Sequence, residues 1–150
     1  MLFVQIYLDD YRYIISTSNI VEIIPGVRLT PFPGVPSYVA GLCSFRGMSV
    51  PVIDLCELFL NRPSEKKFST RIIFVDSGYE NGSKKLVGLL AEKVTETIKV
   101  DEASFIHPGV HNSDKPFIGD VLTDGKGLVS MIQTKEIFNK IDSELLFGVA

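Results

Sequence analysis

The residues best suited to chemistry in this sequence are two histidines, His107 and His111, and two cysteines, Cys43 and Cys56. The histidines are four residues apart, a spacing that lets a helix direct two imidazoles at one metal ion. A Pro-Gly pair lies between them and disfavours a helix, and no cysteine or third histidine is close in the sequence. We therefore expect both histidines to be exposed loop residues, and we expect no metal site.

A cysteine nucleophile needs a nearby base and a group that orients that base. Cys43 and Cys56 are flanked by apolar residues and neither lies in a recognisable nucleophile turn. They are expected to be buried, reduced thiols that behave as small hydrophobic side chains. A disulfide between them is the alternative, and a hydrolase would need a histidine to reach one of these groups through the fold.

Glycines and paired acids offer the remaining candidates for a reactive site. The stretch 124–127 (DGKG) lacks the spacing of a phosphate-binding loop and has no clear helix after it, so it predicts a β-turn. The acid pairs Asp9-Asp10 and Asp101-Glu102 are typical of solvated turns. The sequence contains no set of residues specific to an enzyme, and we expect no catalytic activity and no cofactor.

The composition of the chain argues against two classes of partner, nucleic acids and the membrane interior. The chain has 150 residues and a net charge of −3, and its lysines are scattered or paired, without the basic stripe of a nucleic-acid-binding protein. No apolar run approaches the roughly 18 residues that cross a bilayer, and the first residues show no basic leader. We expect one cytoplasmic domain spanning 1–150, with no nucleic-acid partner and no membrane insertion.

Short apolar runs between turn residues predict a β-rich fold. Phe3–Leu8 and Tyr11–Ile15 read as a hairpin closed by two aspartates, and Thr70–Asp76 reads as a strand buried on both faces. Asn81-Gly82 is a strong hairpin signal before a further strand at Leu86–Leu90.

Helices are expected to be few. Ser18 or Asn19 could cap a short helix that runs to Ile24, and a second helix is predicted over Leu55–Leu60, before Asn61-Arg62-Pro63. A C-terminal helix is predicted by an apolar stripe with a glycine after it; the stripe consists of Ile137, Phe138, Ile141, Leu145 and Leu146, and the glycine is Gly148.

The chain contains an internal repeat. Residues 13–24 (YIISTSNIVEII) align with 87–98 (VGLLAEKVTETI) at an offset of 74, and 41–59 align with 119–138 at an offset of 78 to 79. Two nearly equal offsets predict two lobes of one design. We expect lobes at about 14–75 and 76–135, with the N-terminal strand and the C-terminal helix packing across them. The polar stretch 62–69 is expected to link the lobes.

One charged residue stands out between Ser37 and Ile53, because Arg46 is the only charge in that segment. If the flanking runs are neighbouring strands, Arg46-Gly47 lies at their turn and offers a planar guanidinium to a partner. The alternative is that Arg46 pairs internally, with Asp54 or Glu22, and only closes the lobe.

These residues also resemble a known family. Pro36, Val39, Gly41-Leu42 and Arg46-Gly47, followed by Val-Pro-Val-Ile-Asp-Leu at 50–55, have the order and spacing of the central signature of CheW-like domains. The segments 20–24 (IVEII) and 87–90 (VGLL) resemble the same family. The similarity extends over essentially the whole chain, and the Arg-Gly…Val-Pro-Val-Ile-Asp-Leu block is its specific part.

The resemblance implies a mainly β fold: two SH3-like, five-stranded β-barrel lobes around a shared hydrophobic core, a few short helices and a C-terminal helix. It implies a non-enzymatic adaptor that binds the regulatory domain of a chemotaxis-type histidine kinase and the cytoplasmic tips of chemoreceptors, and that is recruited to membrane receptor arrays. The receptor-binding residues of the family would map to Ile20, Glu22, Gly41, Arg46 and Gly47. Kinase contacts would lie on exposed strand edges, at residues that the sequence does not identify.

Two departures from the family pattern suggest a subtype from an alternative chemosensory pathway. Ser44 stands where the family usually has asparagine, and Ala91-Glu92 stands where an aspartate is common. A small-molecule-binding β-barrel is the alternative function, but it would need converging polar groups that the sequence does not identify.

Overall fold

Strands dominate the chain, as its short apolar runs predict. In a computed structural model, residues 1–77, 85–110 and 114–145 are described, Leu145 by its backbone alone. The strands are β1 (Leu2–Leu8), β2 (Tyr11–Ser16), β3 (Ile20–Pro25), β4 (Val39–Phe45), β5 (Met48–Asp54), β6 (Arg71–Asp76), β7 (Leu86–Ala91), β8 (Lys93–Lys99), β9 (Ile118–Asp124) and β10 (Gly127–Ile132). The helices are α1 (Leu55–Leu60) and α2 (Thr134–Leu145), and 3₁₀ turns lie at Thr17–Asn19 and Glu102–Ser104.

A few predicted features lie outside the described residues. They are the Asn81-Gly82 turn, His111, Leu146, Gly148 and the side chain of Leu145.

The strands form two five-stranded sheets, in the orders β8-β1-β2-β10-β9 and β3-β6-β7-β5-β4. The chain divides into two compact units: unit 1 combines Met1–Ser18 with the described residues from Thr95 onward, and unit 2 is Asn19–Val94. The mainly β fold class with few helices is confirmed.

The two sheets share one plan, as the internal repeat predicts. Each contains a parallel pair, β5 with β7 in one sheet and β10 with β2 in the other. After the edge strand β3 the chain forms a bridge from Thr30 to Leu42 in β4, and after β8 it forms the same bridge from Ile106 to Val121 in β9. In both units this segment runs from one edge strand to the other, and the ladders between the described strands leave each five-stranded sheet open.

Each copy of the repeat is a continuous stretch of the chain, but its boundaries differ from those of the compact units. One repeat begins with β2 in unit 1 and continues with β3–β5 and α1 in unit 2, and the next begins with β7 in unit 2 and continues in unit 1. The limits expected from the sequence, 14–75 and 76–135, therefore differ from the bounds of these units. The single domain over 1–150, with its end segments packing across, stays a prediction.

Short-range sequence patterns correctly predicted the β1–β2 turn and the two α-helices. The β1–β2 hairpin turns at Asp9, whose φ of 56° lies in the left-handed region that aspartate tolerates better than most residues. Helix α1 begins at its N-cap Asp54, whose carboxylate accepts from the backbone N–H of Cys56, and ends at Asn61 with a φ of 58°. In α2, the predicted stripe residues Ile137, Phe138 and Ile141 are buried.

The predicted short helix that runs to Ile24 is wrong: Thr17–Asn19 is a 3₁₀ turn and Ile20–Pro25 is strand β3, paired with β6. Asn19 does not cap a helix, because its side-chain amide donates to the carbonyl oxygen of Asp76 at 3.2 Å. Four of the next five residues are Ile or Val, and β-branched side chains favour a pleated strand over a helix.

The predicted linker role of 62–69 is also wrong, because these residues lie within unit 2. Buried Glu92 holds this stretch in place, because its two carboxylate oxygens accept hydrogen bonds from Arg62 guanidinium N–H groups, each at 3.1 Å. The polar composition of the stretch reflects partners that are distant in sequence, and these cannot be read from a local pattern.

Candidate protein-interaction site

The candidate site begins at the two-residue turn between β4 and β5. Phe45 pairs with Met48, so Arg46 and Gly47 form the whole turn, with φ values of 51° and 77°. Positive φ at both central residues is the geometry of a type I′ turn, whose twist matches that of the flanking strands. The predicted position of Arg46 at the turn is confirmed.

Arg46 is an unfavourable residue for this backbone. Left-handed φ costs a residue with a Cβ about 1–2 kcal/mol, and asparagine or glycine is the usual residue at the first position of such a turn. Turn formation therefore does not explain the arginine. A strained residue held by a well-ordered hairpin is a reason to look for a role in binding.

The guanidinium of Arg46 packs on the ring of Phe45, which in turn stacks on a core residue of unit 2. The guanidinium carbon lies 4.8 Å from the ring centroid of Phe45. Phe45 in turn stacks on the fully buried Phe74, with ring centroids 4.0 Å apart and planes 16° apart. The guanidinium thus keeps an exposed edge while its face is supported by the protein.

Glu22 comes to this turn from the other edge of the sheet. On β3, which has a β-bulge between Ile20 and Glu22, Val21 and Ile24 pack on the core, whereas Glu22 and Ile23 are exposed. A carboxylate oxygen of Glu22 lies 3.5 Å from a guanidinium nitrogen of Arg46, and the two side chains are 44% and 59% exposed. Exposed pairs of this kind contribute about 0.2–1 kcal/mol, so a partner's carboxylate could replace Glu22 at low cost.

The structure therefore brings Glu22 and the Arg46-Gly47 turn together, and half-buried Ile20 lies two residues before Glu22 on β3. Gly41 is separate: it is buried and lies five residues before Arg46, roughly 15 Å along β4. A Cβ at Gly41 would lie 2.7 Å from the carbonyl oxygen of Thr30, and its φ is 149°. Gly41 is needed for the close approach of the Thr30 segment to β4.

Internal pairing of Arg46 with Glu22 is present, as one alternative expected. The other suggested partner, Asp54, instead accepts hydrogen bonds from Cys56, Glu57 and Ser64.

Unit 1 carries a counterpart of this site that sequence reasoning missed. Glu96 on edge strand β8 lies 3.8 Å from Lys126 in the β9–β10 turn, and both side chains are more than half exposed. The signal was available, since Glu96 aligns with Glu22 in the repeat and Lys126 lies in the matching hairpin turn. The two turns differ chemically, because the arginine of unit 2 has a planar guanidinium and an aromatic support.

A second feature of unit 1 was also missed. The guanidinium of Arg12 forms a bidentate pair with Asp124, at 2.9 and 2.7 Å, and donates to the buried Gln5. The Arg12 guanidinium and the backbone N–H of Lys126 lower the pKa of Asp124 to about 2. This pair joins β2 to the end of β9, so it holds the turn that carries Lys126.

The structure describes three of the four cysteines and histidines that the sequence offered for catalysis. Cys43 and Cys56 are free, buried thiols, and burial raises the pKa of both, that of Cys56 to about 11. A buried thiol with a raised pKa is a poor nucleophile. His107 is exposed, and its Nδ1 accepts from the backbone N–H of Gly109 at 3.1 Å.

Within residues 1–77, 85–110 and 114–145, no cluster of three His, Cys, Asp or Glu residues could hold a metal ion. Over the same part of the chain, no helix has both the length and the apolar character needed to cross a membrane.

Comparison with known proteins matches residues 2–142 to the family described as the CheW-like domain. The chain is 28% identical to the chemotaxis protein CheW of Bacillus subtilis over 91% of this chain and 86% of that protein. It is 27% identical to the chemotaxis protein CheW of Helicobacter pylori over 92% and 81% of the two chains. The solved scaffolding protein TtCheW of Thermoanaerobacter tengcongensis is similar in fold, with a TM-score of 0.75, 26% identity and coverage of 87% of this chain and 82% of that one. Because the family match spans both sheets and includes the Arg46-Gly47 turn, the chain belongs to the CheW-like domain family.

Proposed function

We propose that this protein is a non-enzymatic adaptor that couples chemoreceptors to a chemotaxis-type histidine kinase. Its relatives carry the name chemotaxis protein CheW, and its solved neighbour is described as a scaffolding protein. The observation that carries the proposal in this chain is Arg46: an arginine held in an unfavourable turn conformation, stacked on Phe45 and loosely paired with an exposed Glu22.

The receptor face consists of Ile20, Glu22, Arg46 and Gly47, and Gly41 contributes indirectly, by letting the Thr30 segment approach β4. Arg46 supplies five N–H donors in a rigid fork, which suits a carboxylate on the helical hairpin of a receptor tip. Ile20 and the exposed Ile23 supply apolar area beside it. Glu22 keeps the guanidinium oriented before a partner arrives and then yields it.

Gly47 has a separate role at the turn. Nothing lies within 4 Å of where its Cβ would be, so a larger residue would be opposed only by the φ of 77°. The space there leaves room for a partner helix to approach the arginine closely.

The kinase regulatory domain takes a second face, since an adaptor that holds two partners at once needs two separate surfaces. The adaptor works in the cytoplasm and reaches membrane receptor arrays through these contacts alone. Its function is to fix the distance and orientation between the receptor tip and the kinase.

The experiment is calorimetric titration with a purified receptor tip and, separately, with the kinase regulatory domain of the same host. Wild-type protein is expected to bind both. Arg46→Ala is expected to weaken receptor binding by about thirtyfold, the effect of losing a hot-spot residue worth about 2 kcal/mol, and to leave kinase binding unchanged.

Lys126→Ala is the matched control, because Lys126 is also an exposed turn cation paired with a glutamate of an edge strand. It is expected to bind both partners like wild type. Equal receptor binding by Arg46→Ala and wild type would remove Arg46 from the receptor face. Failure of well-folded wild-type protein to bind either partner would refute the adaptor.

A further inference from the structure

Phe68 is fully exposed, at 103% of its reference area. It lies in the loop between α1 and β6, which we call the Phe68 loop and define as residues 62–70. A single exposed apolar residue on a mobile loop would need no explanation. The loop around Phe68, however, is held by hydrogen bonds on both sides.

The first half of the loop is held by two buried carboxylates. Asp54 accepts from the backbone N–H of Ser64 at 2.9 Å and from its hydroxyl at 2.5 Å. Glu92 accepts from the backbone N–H of Glu65 at 2.8 Å and from the guanidinium of Arg62. Burying carboxylates is costly unless they are well hydrogen-bonded, and in unit 2 much of their bonding capacity goes to this loop.

The second half is held equally well. The hydroxyl of Thr70 accepts from the backbone N–H of Lys67 at 2.9 Å and donates to the carbonyl oxygen of Glu65 at 3.2 Å. The hydroxyl of Ser69 donates to the carbonyl oxygen of Glu92, and the guanidinium of Arg71 donates to the carbonyl oxygen of Phe68 itself at 2.7 Å. The backbone on either side of the exposed ring is thus fixed.

The Phe68 loop and the Arg46 turn lie at opposite ends of the sheet of unit 2. Residue 71 begins β6, and Phe74, three residues further on, pairs with Glu22. Since β5 runs from Met48 to Asp54 away from the Arg46 turn, and Asp54 contacts the Phe68 loop, the length of a seven-residue strand separates the two, roughly 20 Å.

The loop is also basic in an otherwise acidic protein. The Phe68 loop contains three basic residues, Arg62, Lys66 and Lys67, and one acidic residue, Glu65, and Arg71 follows it at the start of β6. Lys66 and Lys67 directly precede Phe68 in the chain and are exposed, and the ammonium of Lys67 lies 3.1 Å from a carboxylate oxygen of Glu65. An exposed aromatic side chain flanked by cations fits an apolar pocket with carboxylates at its rim.

From these observations we propose that the Phe68 loop is a preformed protein-docking surface with Phe68 as its anchor, and that it binds the kinase regulatory domain. The partner assignment rests on the adaptor function proposed above, which requires a second face away from Arg46. Because the loop is already ordered, binding loses little further conformational entropy.

The test compares wild type, Phe68→Ser and Phe32→Ser in titrations with the kinase regulatory domain and with the receptor tip. Phe68→Ser is expected to bind the kinase domain about thirtyfold more weakly and the receptor tip unchanged. Phe32 is the matched control, since it is 55% exposed in unit 2 but outside the Phe68 loop, and Phe32→Ser is expected to bind the kinase domain like wild type. Phe68→Leu should recover most of the binding, and thermal unfolding of the Phe68 variants should match wild type because this ring is fully exposed.

The outcomes separate the two proposals. Kinase binding by wild type that is undiminished in Phe68→Ser overturns the docking surface and leaves the adaptor standing, whereas no binding by wild type to either partner overturns both. Binding of wild type to vesicles of anionic phospholipid that is lost in Phe68→Ser, with kinase binding unchanged, would assign the loop to a membrane surface and overturn the proposal.

Discussion

Gly41 and Gly119 occupy aligned positions in the two repeats, yet alanine should be tolerated very differently at the two sites. At Gly41 a Cβ would lie 2.7 Å from the backbone oxygen of Thr30 and 3.0 Å from the Cβ of Leu29, with φ at 149°. At Gly119 the three atoms nearest to a Cβ would all belong to the side chain of Gln133, with the amide nitrogen at 2.5 Å and Cγ at 2.9 Å. A flexible side-chain end can move aside, and a paired backbone cannot.

The magnitude follows from the contacts. Positive φ costs alanine about 1–2 kcal/mol at position 41. Relieving the clash moves Thr30 away from Leu42 and weakens two backbone hydrogen bonds of 2.9 and 2.8 Å, each with a net contribution of about 1 kcal/mol. We expect Gly41→Ala to lower the free energy of unfolding by about 3 kcal/mol, which is about 10 °C in Tm for a chain of this length. Gly119→Ala should change it by less than about 1 kcal/mol.

Urea denaturation followed by circular dichroism measures both values. Equal losses for the two variants would refute the argument that the backbone of Thr30 sets the requirement at Gly41. Receptor titration of the folded fraction adds a second test: if Gly41 only shapes the site, Gly41→Ala that remains folded should bind with near wild-type affinity.

The shifted pKa values of Asp124 and Cys56 lead to two further predictions. The lowered pKa of Asp124 means that its contribution to the free energy of unfolding is present above its ordinary pKa of 3.8 and is lost as the pH falls toward 2, so Asp124→Asn should show a weaker fall of stability in urea titrations across this range. An unchanged acid dependence would contradict the role of the Arg12 pair. The raised pKa of Cys56 means that its contribution is complete below pH 9 and is lost as the pH rises toward 11, and the native thiols should not react with an aromatic disulfide reagent at pH 8 until the protein unfolds. Rapid reaction of two thiols in native protein would contradict their burial.

Much of the fold could be predicted because its signals are local. Two aspartates after an apolar run predicted the β1–β2 turn, and uninterrupted apolar residues predicted the buried strand β6. Asn19 shows the limit of such signals: it resembles a helix cap in sequence, but its amide bonds to Asp76, which is 57 residues away. A cap and a strand end use the same residue types, and the partner decides between them.

Some features of the candidate site could likewise be predicted from the sequence, and others could not. Arg46 could be located from sequence, since a lone charge beside glycine between two apolar runs predicts a hairpin turn. Its contact with Glu22 is decided only when the two edges of the sheet approach each other, and its aromatic support depends on the stacking of Phe45 on Phe74.

The sequence by itself determined the strand-rich character, the turns, helix α1 with both of its ends, the repeat and the resemblance to a family, because each is written in residue types at short spacing. Only the tertiary structure decided which strands share a sheet, how the repeats divide between the units, and that residues 62–70 form a fixed loop. These features depend on hydrogen bonds and packing between residues far apart in the chain, such as Ser64 with Asp54 and Glu65 with Glu92. A periodic pattern records which face of an element is buried, but it does not record which partner buries it.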